Sequence, residues 1–274
     1  MHEFRLTNSV GTELFFRYSL PSQIDAVVCL VHGIGEHSGR YAHVIKFFND
    51  RSLAVIALDH QGHGQSAGKR GHSGGLETML DDVTLLLDKA RELAPGKPLF
   101  LYGHSMGGNL VLNFLLKRQP EIAGAIATGP WIRLPKPPSR LLIGLAKFVR
   151  PFWPAMTQPN RLDLSGLSSD PKVVDELRRD PLAHDRISVK MGLDLIKASK
   201  HIDNFSGNVR CPILLMHGAS DPITSPSGTE RFAGRAKGDV TMRSWDGLRH
   251  EIHNEPEQAA VLGFAADWMT LHVR

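Results

Sequence analysis

Five short stretches of the chain are almost wholly apolar: AVVCLVHG (26–33), LAVIALDHQGHG (53–64), PLFLYGHS (98–105), IAGAIATGP (122–130) and CPILLMHGASD (211–221). Four end in Gly, Asp or Ser and one in Gly-Pro, and together they are rich in β-branched residues, as expected of strands covered on both faces. Ahead of them, EFRLTNSVGTELFFRYSLP reads as two extended segments around SVGT, a hairpin. The stretches between the strands switch to a helical period. In TMLDDVTLLLDKARELAP, Leu80, Val83, Leu87 and Ala90 recur at three- and four-residue steps, and Pro95 follows the expected end. Near the carboxyl end Val261, Phe264, Ala265 and Trp268 repeat the pattern. Strands alternating with helices predict an α/β fold, a mostly parallel sheet flanked by helices.

One interval breaks the alternation. From about Leu134 to Phe205 there are prolines (PKPP, RPFWP, QPN) and helical patches but no convincing buried strand. Leu141, Leu145, Phe148 and Phe152 are expected on one helical face, with Lys147 and Arg150 away from it. The interval reads as a helical cap insertion (134–205) in a core made of 1–133 and 206–274. It should lie over the carboxyl edge of the sheet, where ligands bind in such folds.

Bulk properties narrow the picture. A chain of 274 residues, 42% hydrophobic and 22% charged, buries a sizeable core. Lys and Arg number 32 against 28 Asp and Glu, an excess of +4 that is not gathered in a block, so no nucleic-acid partner is expected. The start, MHEFRLTNSVGTELFFRY, lacks the basic, apolar and small-residue order of a signal peptide, and no apolar run approaches ~20 residues, so a cytoplasmic protein is expected. Cys29 and Cys211 sit in apolar strand-like runs and read as buried free thiols.

The chemistry concentrates at GHSMGG (103–108), between the strand-like KPLFLY and the helix-like NLVLNFLLKRQ. It could be a tight turn carrying a surface hydroxyl. The alternative is a nucleophile, because GxSxG at a strand-to-helix turn lifts a serine Oγ clear of the sheet. Serine needs a base, and the base an orienting carboxylate, in the order Ser, acid, His on this architecture. Asp221 follows one apolar strand and His250 another, so Ser105, Asp221 and His250 form the expected set. Asp221 alone would equally suit a cap of the turn SDPI, and His253 competes as base, although Asn254 beside it suits a helix start. The oxyanion donors are expected to be the backbone N–H groups of Ile34 and Met106. His60, His63 and Asp59 have metal-ligand chemistry, but Gly62 and Gly64 suit a loop, and no metal is expected.

HGIGEHSGRY (32–41), LDHQGHGQS (58–66), GHSMGG, HGASDPI (217–223) and DGLRHEIHNEPE (246–257) together resemble the monoacylglycerol lipase and lysophospholipase branch of the α/β-hydrolase fold. DPLAHDRIS (180–188) resembles that branch's cap where it rejoins the sheet. The resemblance implies a serine hydrolase cleaving small-molecule monoacyl esters through an acyl-enzyme, without a cofactor. It implies that Glu36, Arg40 and His104 arrange the alcohol end of the substrate. For Glu36 and Arg40 a structural ion pair locking the loop is an equal alternative, and His104 could merely pack under the cap. The cap's apolar helix has three readings: facing the acyl chain, touching a lipid surface in transient membrane contact, or covering the core. A short-chain esterase, an aminopeptidase and an acyltransferase share these residues. A dehalogenase or epoxide hydrolase would carry a carboxylate at position 105, and an intact triad argues against a silent binding module.

Overall fold

The computed structural model describes residues 1–273 of the chain. The hairpin forms from β1 (His2–Thr7) and β2 (Glu13–Ser19), paired antiparallel. The apolar runs become β3 (Ala26–Val31), β4 (Leu53–Leu58), β5 (Leu99–His104), β6 (Gly124–Thr128) and β9 (Ile213–Gly218); β10 (Val240–Trp245) follows. They assemble into one eight-stranded sheet, order β1-β2-β4-β3-β5-β6-β9-β10, in which β2 is antiparallel to β4 and every pair from β4 to β10 is parallel.

The unbroken hydrophobicity of these strands has a simple cause: alternate side chains point to opposite faces, and both faces are covered. In β3, Val27, Cys29 and Val31 enter one apolar cluster, and Ala26, Val28 and Leu30 the other. One face is covered by α2 (Leu76–Leu93), α3 (Met106–Arg118), α6 (Val189–Asp203) and α7 (Pro226–Arg235). The other is covered by α1 (Ala42–Asn49) and α8 (Gln258–Leu271). In α2, Leu80, Val83, Leu87 and Ala90 are all buried, as their spacing predicts. Asn254 does not open the last helix: it ends a short 3₁₀ turn, Ile252–Asn254, and α8 starts at Gln258 after Glu257. Cys29 and Cys211 are both free and buried.

Between β6 and β9 lie α4 (Arg140–Val149), α5 (Pro171–Arg179) and α6. Two three-residue strands, β7 (Thr157–Pro159) and β8 (Arg186–Ser188), pair there as an antiparallel ribbon that the sequence does not announce. Such a short, half-exposed ribbon containing a proline carries neither apolar alternation nor length. The last helix of the interval, α6, packs its Met191, Leu195, Ala198 and Ile202 into the same cluster as α3. Helix α4 stops at Val149, so Phe152 lies beyond it and shares no helical face with Leu141, Leu145 and Phe148. All four are exposed to solvent rather than laid on the core.

Candidate active site

Strand β5 runs straight into α3, and Ser105 is the bend between them, at φ 55° and ψ −113°. A side-chain-bearing residue at positive φ is strained, and it persists only where its surroundings over-determine it. Here the Ser105 N–H donates to Thr128 O at 2.9 Å, while its carbonyl accepts from Asn109 N and Trp131 N, each at 3.0 Å. Glycine is required two residues on: a Cβ on Gly107 would be driven into the carbonyl oxygens of Val31, the last residue of β3, and His32 just after it. That close approach lets α3 start directly over the sheet.

The loops after β9 and β10 bring the other two groups. Ser105 Oγ–H faces His250 Nε2 at 2.9 Å, and His250 Nδ1–H donates to Asp221 Oδ2 at 2.7 Å. All three side chains are buried. Asp221 is unusually well supplied with donors. Its Oδ2 also accepts from His217 Nε2 (2.9 Å) and Thr224 Oγ1 (2.8 Å), and its Oδ1 from the backbone N–H groups of Ile223 (2.7 Å) and Thr224 (3.0 Å). Burial alone would push its carboxyl up. The charge on His250 and the hydrogen bonds from His217 and His250 outweigh burial and hold it well below the usual carboxylate range. His250 is the mirror case: burial opposes its charge, but the Asp221 carboxylate raises it above the ordinary imidazole value.

The loop after β3 passes close enough to the serine that a Cβ on Gly33 would lie 3.3 Å from Ser105 Cβ. The Ile34 N–H donates to no hydrogen bond among the described residues. The Met106 N–H, first in α3, has no acceptor one turn back. Two donors beside one hydroxyl are the requirement for holding an oxyanion. Glu36 and Arg40 meet as an ion pair at 2.8 Å, and both line the cavity that reaches Ser105. His104 is buried beneath, its Nδ1 near Thr128 Oγ1 at 3.0 Å and its ring 4.7 Å from those of both His250 and His253. Burial and the neighbouring imidazoles push it well down, so it stays neutral beside His250.

His253 is not placed as the base. It stacks on Tyr41 at 4.9 Å, and burial pushes it down to about 3. His60 and His63 pack with His32, at ring separations of 4.6 and 5.4 Å, and burial pushes all three down. Asp59 does not join them: its carboxylate accepts the Ser38 and Gln65 N–H groups. Among the described residues no three His, Cys, Asp or Glu side chains are placed to hold a metal.

Two cavities meet at Ser105. One, about 430 Å³, has Glu36, Arg40, His104 and Glu251 beside the serine and Leu162, Leu164, Leu167 and Leu177 further out. The other, about 330 Å³, is apolar, lined by Leu142, Ile143, Ala146 and Val149 of α4 together with Leu193 and Ile196 of α6. The arrangement suits a substrate with a polar end, an apolar end and a reactive bond between them. Sequence reasoning missed His217 and Glu251. His217, on β9 four residues before Asp221, had a usable signal in its spacing. Glu251 had only its place next to the candidate base.

Residues 22–257 match the family described as serine aminopeptidase, S33. An uncharacterized abhydrolase domain-containing protein of Dictyostelium discoideum is 35% identical over 247 residues, covering 89% of this chain but 26% of that much longer protein. A monoacylglycerol lipase of Mycolicibacterium smegmatis is 34% identical over 249 residues, 90% of this chain and 89% of that one. The crystal structure of Paleococcus ferrophilus monoacylglycerol lipase superposes with a TM-score of 0.85 at 34% identity, covering 94% of this chain and 99% of that one. The expectation of an α/β-hydrolase therefore holds over nearly the whole length, and the chain belongs to the serine aminopeptidase S33 family, on its monoacylglycerol lipase-like side.

Proposed function

We propose that the protein hydrolyses monoacyl esters, monoacylglycerols or lysophospholipids, through an acyl-enzyme on Ser105. The observation that carries this is the unbroken chain from Ser105 Oγ through His250 to Asp221, set where a cavity with charged groups beside the serine meets an apolar one. His250 Nε2 takes the hydroxyl proton as Oγ attacks the ester carbonyl, and the Ile34 and Met106 N–H groups receive the negative oxygen. Asp221 steadies the imidazolium. The alcohol then leaves with the proton from His250, past Glu36, Arg40 and His104. Water, deprotonated by His250, adds to the acyl carbon, and collapse releases the acid and restores Ser105.

An ester suits this cavity better than an amino-acyl amide. An aminopeptidase needs free carboxylates beside the nucleophile to hold an ammonium group. Glu36 and Glu251, the buried carboxylates lining this cavity, are both bonded to Arg40. In the same reading residues 134–205 act as the cap on a core of 1–133 and 206–274, with α6 anchoring the cap in that core. The outward face of α4 meets lipid transiently. Leu141 and Phe148 are 85% and 72% exposed, Phe152 and Trp153 continue the apolar surface, and Arg140 and Lys147 flank it. No helix among the described residues is long and apolar enough to cross a membrane.

The test is a hydrolysis panel of p-nitrophenyl esters of rising chain length, monoacylglycerols, lysophosphatidylcholine and amino-acyl amides, run on the protein and on Ser105→Ala. The expected result is preference for the single-chain esters and a loss of roughly four orders of magnitude in the variant. Wild-type turnover in the variant would remove Ser105 from the mechanism, and faster amide cleavage would reverse the choice of substrate.

A further inference from the structure

Three buried charges sit beside the reacting groups and are engaged with one another. Glu36 Oε1 accepts the Gly33 N–H at 2.6 Å and the Tyr41 hydroxyl at 2.8 Å, while its Oε2 meets Arg40 Nη1 at 2.8 Å. Arg40 then reaches across to the loop after β10. It grips Glu251 with both guanidinium nitrogens, Nη1 to Oε1 at 2.7 Å and Nη2 to Oε2 at 2.8 Å. Asn254 Nδ2 fills the remaining place on Oε2 at 2.7 Å. The Arg40 side chain is 11% exposed, that of Glu36 5% and that of Glu251 3%. Burial should raise the Glu251 carboxyl, yet Arg40 holds it well below the carboxylate range, so the fork stays charged.

The two loops joined by this fork carry the two halves of the proposed chemistry. Glu36 fastens the Gly33 N–H, one peptide before the Ile34 donor, and Glu251 directly follows His250. We propose that Glu251 is a positioning residue: through Arg40 and Glu36 it holds the Ile34 N–H in register with the His250 imidazole across Ser105. This rests on the acyl-enzyme reading above. Such a fork is specific as well as strong, because two parallel hydrogen bonds fix an angle as well as a distance. Register matters because a displacement of about 1 Å in a catalytic constellation costs on the order of a hundredfold in rate. A substrate contact fits Glu251 less well, since each of its oxygens already has a donor and no N–H or O–H of its own faces the cavity.

The test compares Glu251→Gln and Arg40→Lys with the wild-type chain, on a p-nitrophenyl ester and on a monoacylglycerol, at a pH on the alkaline plateau. Both variants are expected to lose about ten- to a hundredfold in kcat on both esters, with KM within about twofold. The inhibition constant of an acyl trifluoromethyl ketone, which mimics the tetrahedral oxyanion, is expected to rise by a similar factor. A lower Tm with kcat intact would reduce Glu251 to ordinary scaffold. A loss confined to the monoacylglycerol would make it a contact for the leaving alcohol. A plateau rate that is unchanged while the acid limb moves would make it only a charge acting on His250, which also faces Asp221, Glu36, His104 and His253. Any of these overturns the proposal. Glu251→Asp keeps the charge but shortens the reach, so it is expected to show the same kcat loss; wild-type kcat there overturns the proposal even if Glu251→Gln fails to fold. Ser105→Ala separates the two levels. If it stays active, the acyl-enzyme reading has failed. If it is inactive while the Glu251 variants turn over normally, only the positioning role has.

Discussion

The floor and the roof of the site are built on opposite principles. The floor consists of loops at the carboxyl ends of β3, β5, β9 and β10, and every proposed catalytic side chain in it is buried, with Ser105, Asp221 and His250 joined by hydrogen bonds. The roof is α4 and the ribbon of β7 and β8, where no residue of α4 is fully buried and large apolar side chains face solvent. Chemistry needs groups held to fractions of an ångström, which only saturated hydrogen bonding and dense packing supply. Choice among acyl chains needs mainly an apolar wall of the right size. The roof is accordingly lightly held: the ribbon meets the core through the Ser188 N–H to Gly71 O (2.7 Å) and Ser188 Oγ beside His72 Nδ1 (2.9 Å).

From this contrast the largest effects are expected in the floor. Asp221→Asn is expected to lower kcat by about four orders of magnitude, because the amide cannot support an imidazolium and favours the wrong tautomer. Its acid limb should move to lower pH, since the carboxylate is what raises His250. Stability should respond as well. The raised His250 contributes stability that is fully present below the ordinary imidazole value of 6.5 and is lost as pH rises through its folded value. Asp221, depressed from 3.8, contributes stability present above 3.8 and lost as pH falls through its folded value. The ion pair is therefore the more stable form, while turnover requires a neutral His250. Wild-type stability should decline over the range in which activity rises, and in Asp221→Asn that decline should flatten. Chemical denaturation across pH, run beside kcat/KM, checks both.

A smaller effect is expected one bond further back. His217 donates from Nε2 to Asp221 Oδ2, and its Nδ1 lies 2.8 Å from Thr229 Oγ1, so its ring is held at both nitrogens. His217→Phe removes one donor from a charged acceptor, worth about 1.5 kcal/mol or about tenfold in kcat. With less of its charge drawn off, Asp221 should hold the His250 proton more tightly and move the acid limb to higher pH. His217→Gln, which keeps a donor, should leave the limb nearer the wild-type position. A limb that does not move in the Phe variant would show that the floor tolerates more slack than its geometry suggests.

The same contrast governs what could be read from the sequence. Strands buried on both faces announce themselves because every residue, not every second one, must be apolar; hence β3, β4, β5, β6 and β9 were legible from composition alone. The order Ser105, Asp221, His250 was legible because sheet topology brings successive strand ends together. The roof was not. The β7–β8 ribbon is three residues a side, and Phe152 satisfied the helical period of α4 although the helix stops at Val149. Helix α6 was indistinguishable from cap helices, because amphipathicity does not say which neighbour a face will meet. Glu251 was hidden for another reason: its partner Arg40 lies 211 positions earlier, and no local pattern encodes so distant a pairing.

The smallest effect should come from the outward side of the roof. Phe148 and Trp153 are largely exposed and outside the cavities that meet at Ser105, so replacing both with Ser removes apolar surface without disturbing a packed wall. Stability should change by no more than about 0.5 kcal/mol, whereas Leu101→Ala in the fully buried β5 should cost about 2–5 kcal/mol. Turnover of a water-soluble butyrate ester should stay at the wild-type value. Binding to phosphatidylcholine–phosphatidylglycerol vesicles should fall on the order of tenfold, following the apolar area lost, and hydrolysis of vesicle-borne monoacylglycerol should fall with it. Equal losses on the soluble and the vesicle-borne ester would mean that these residues shape the floor after all. Vesicle binding that survives both substitutions would move the lipid contact elsewhere and leave α4 as no more than the outer wall of the acyl cavity.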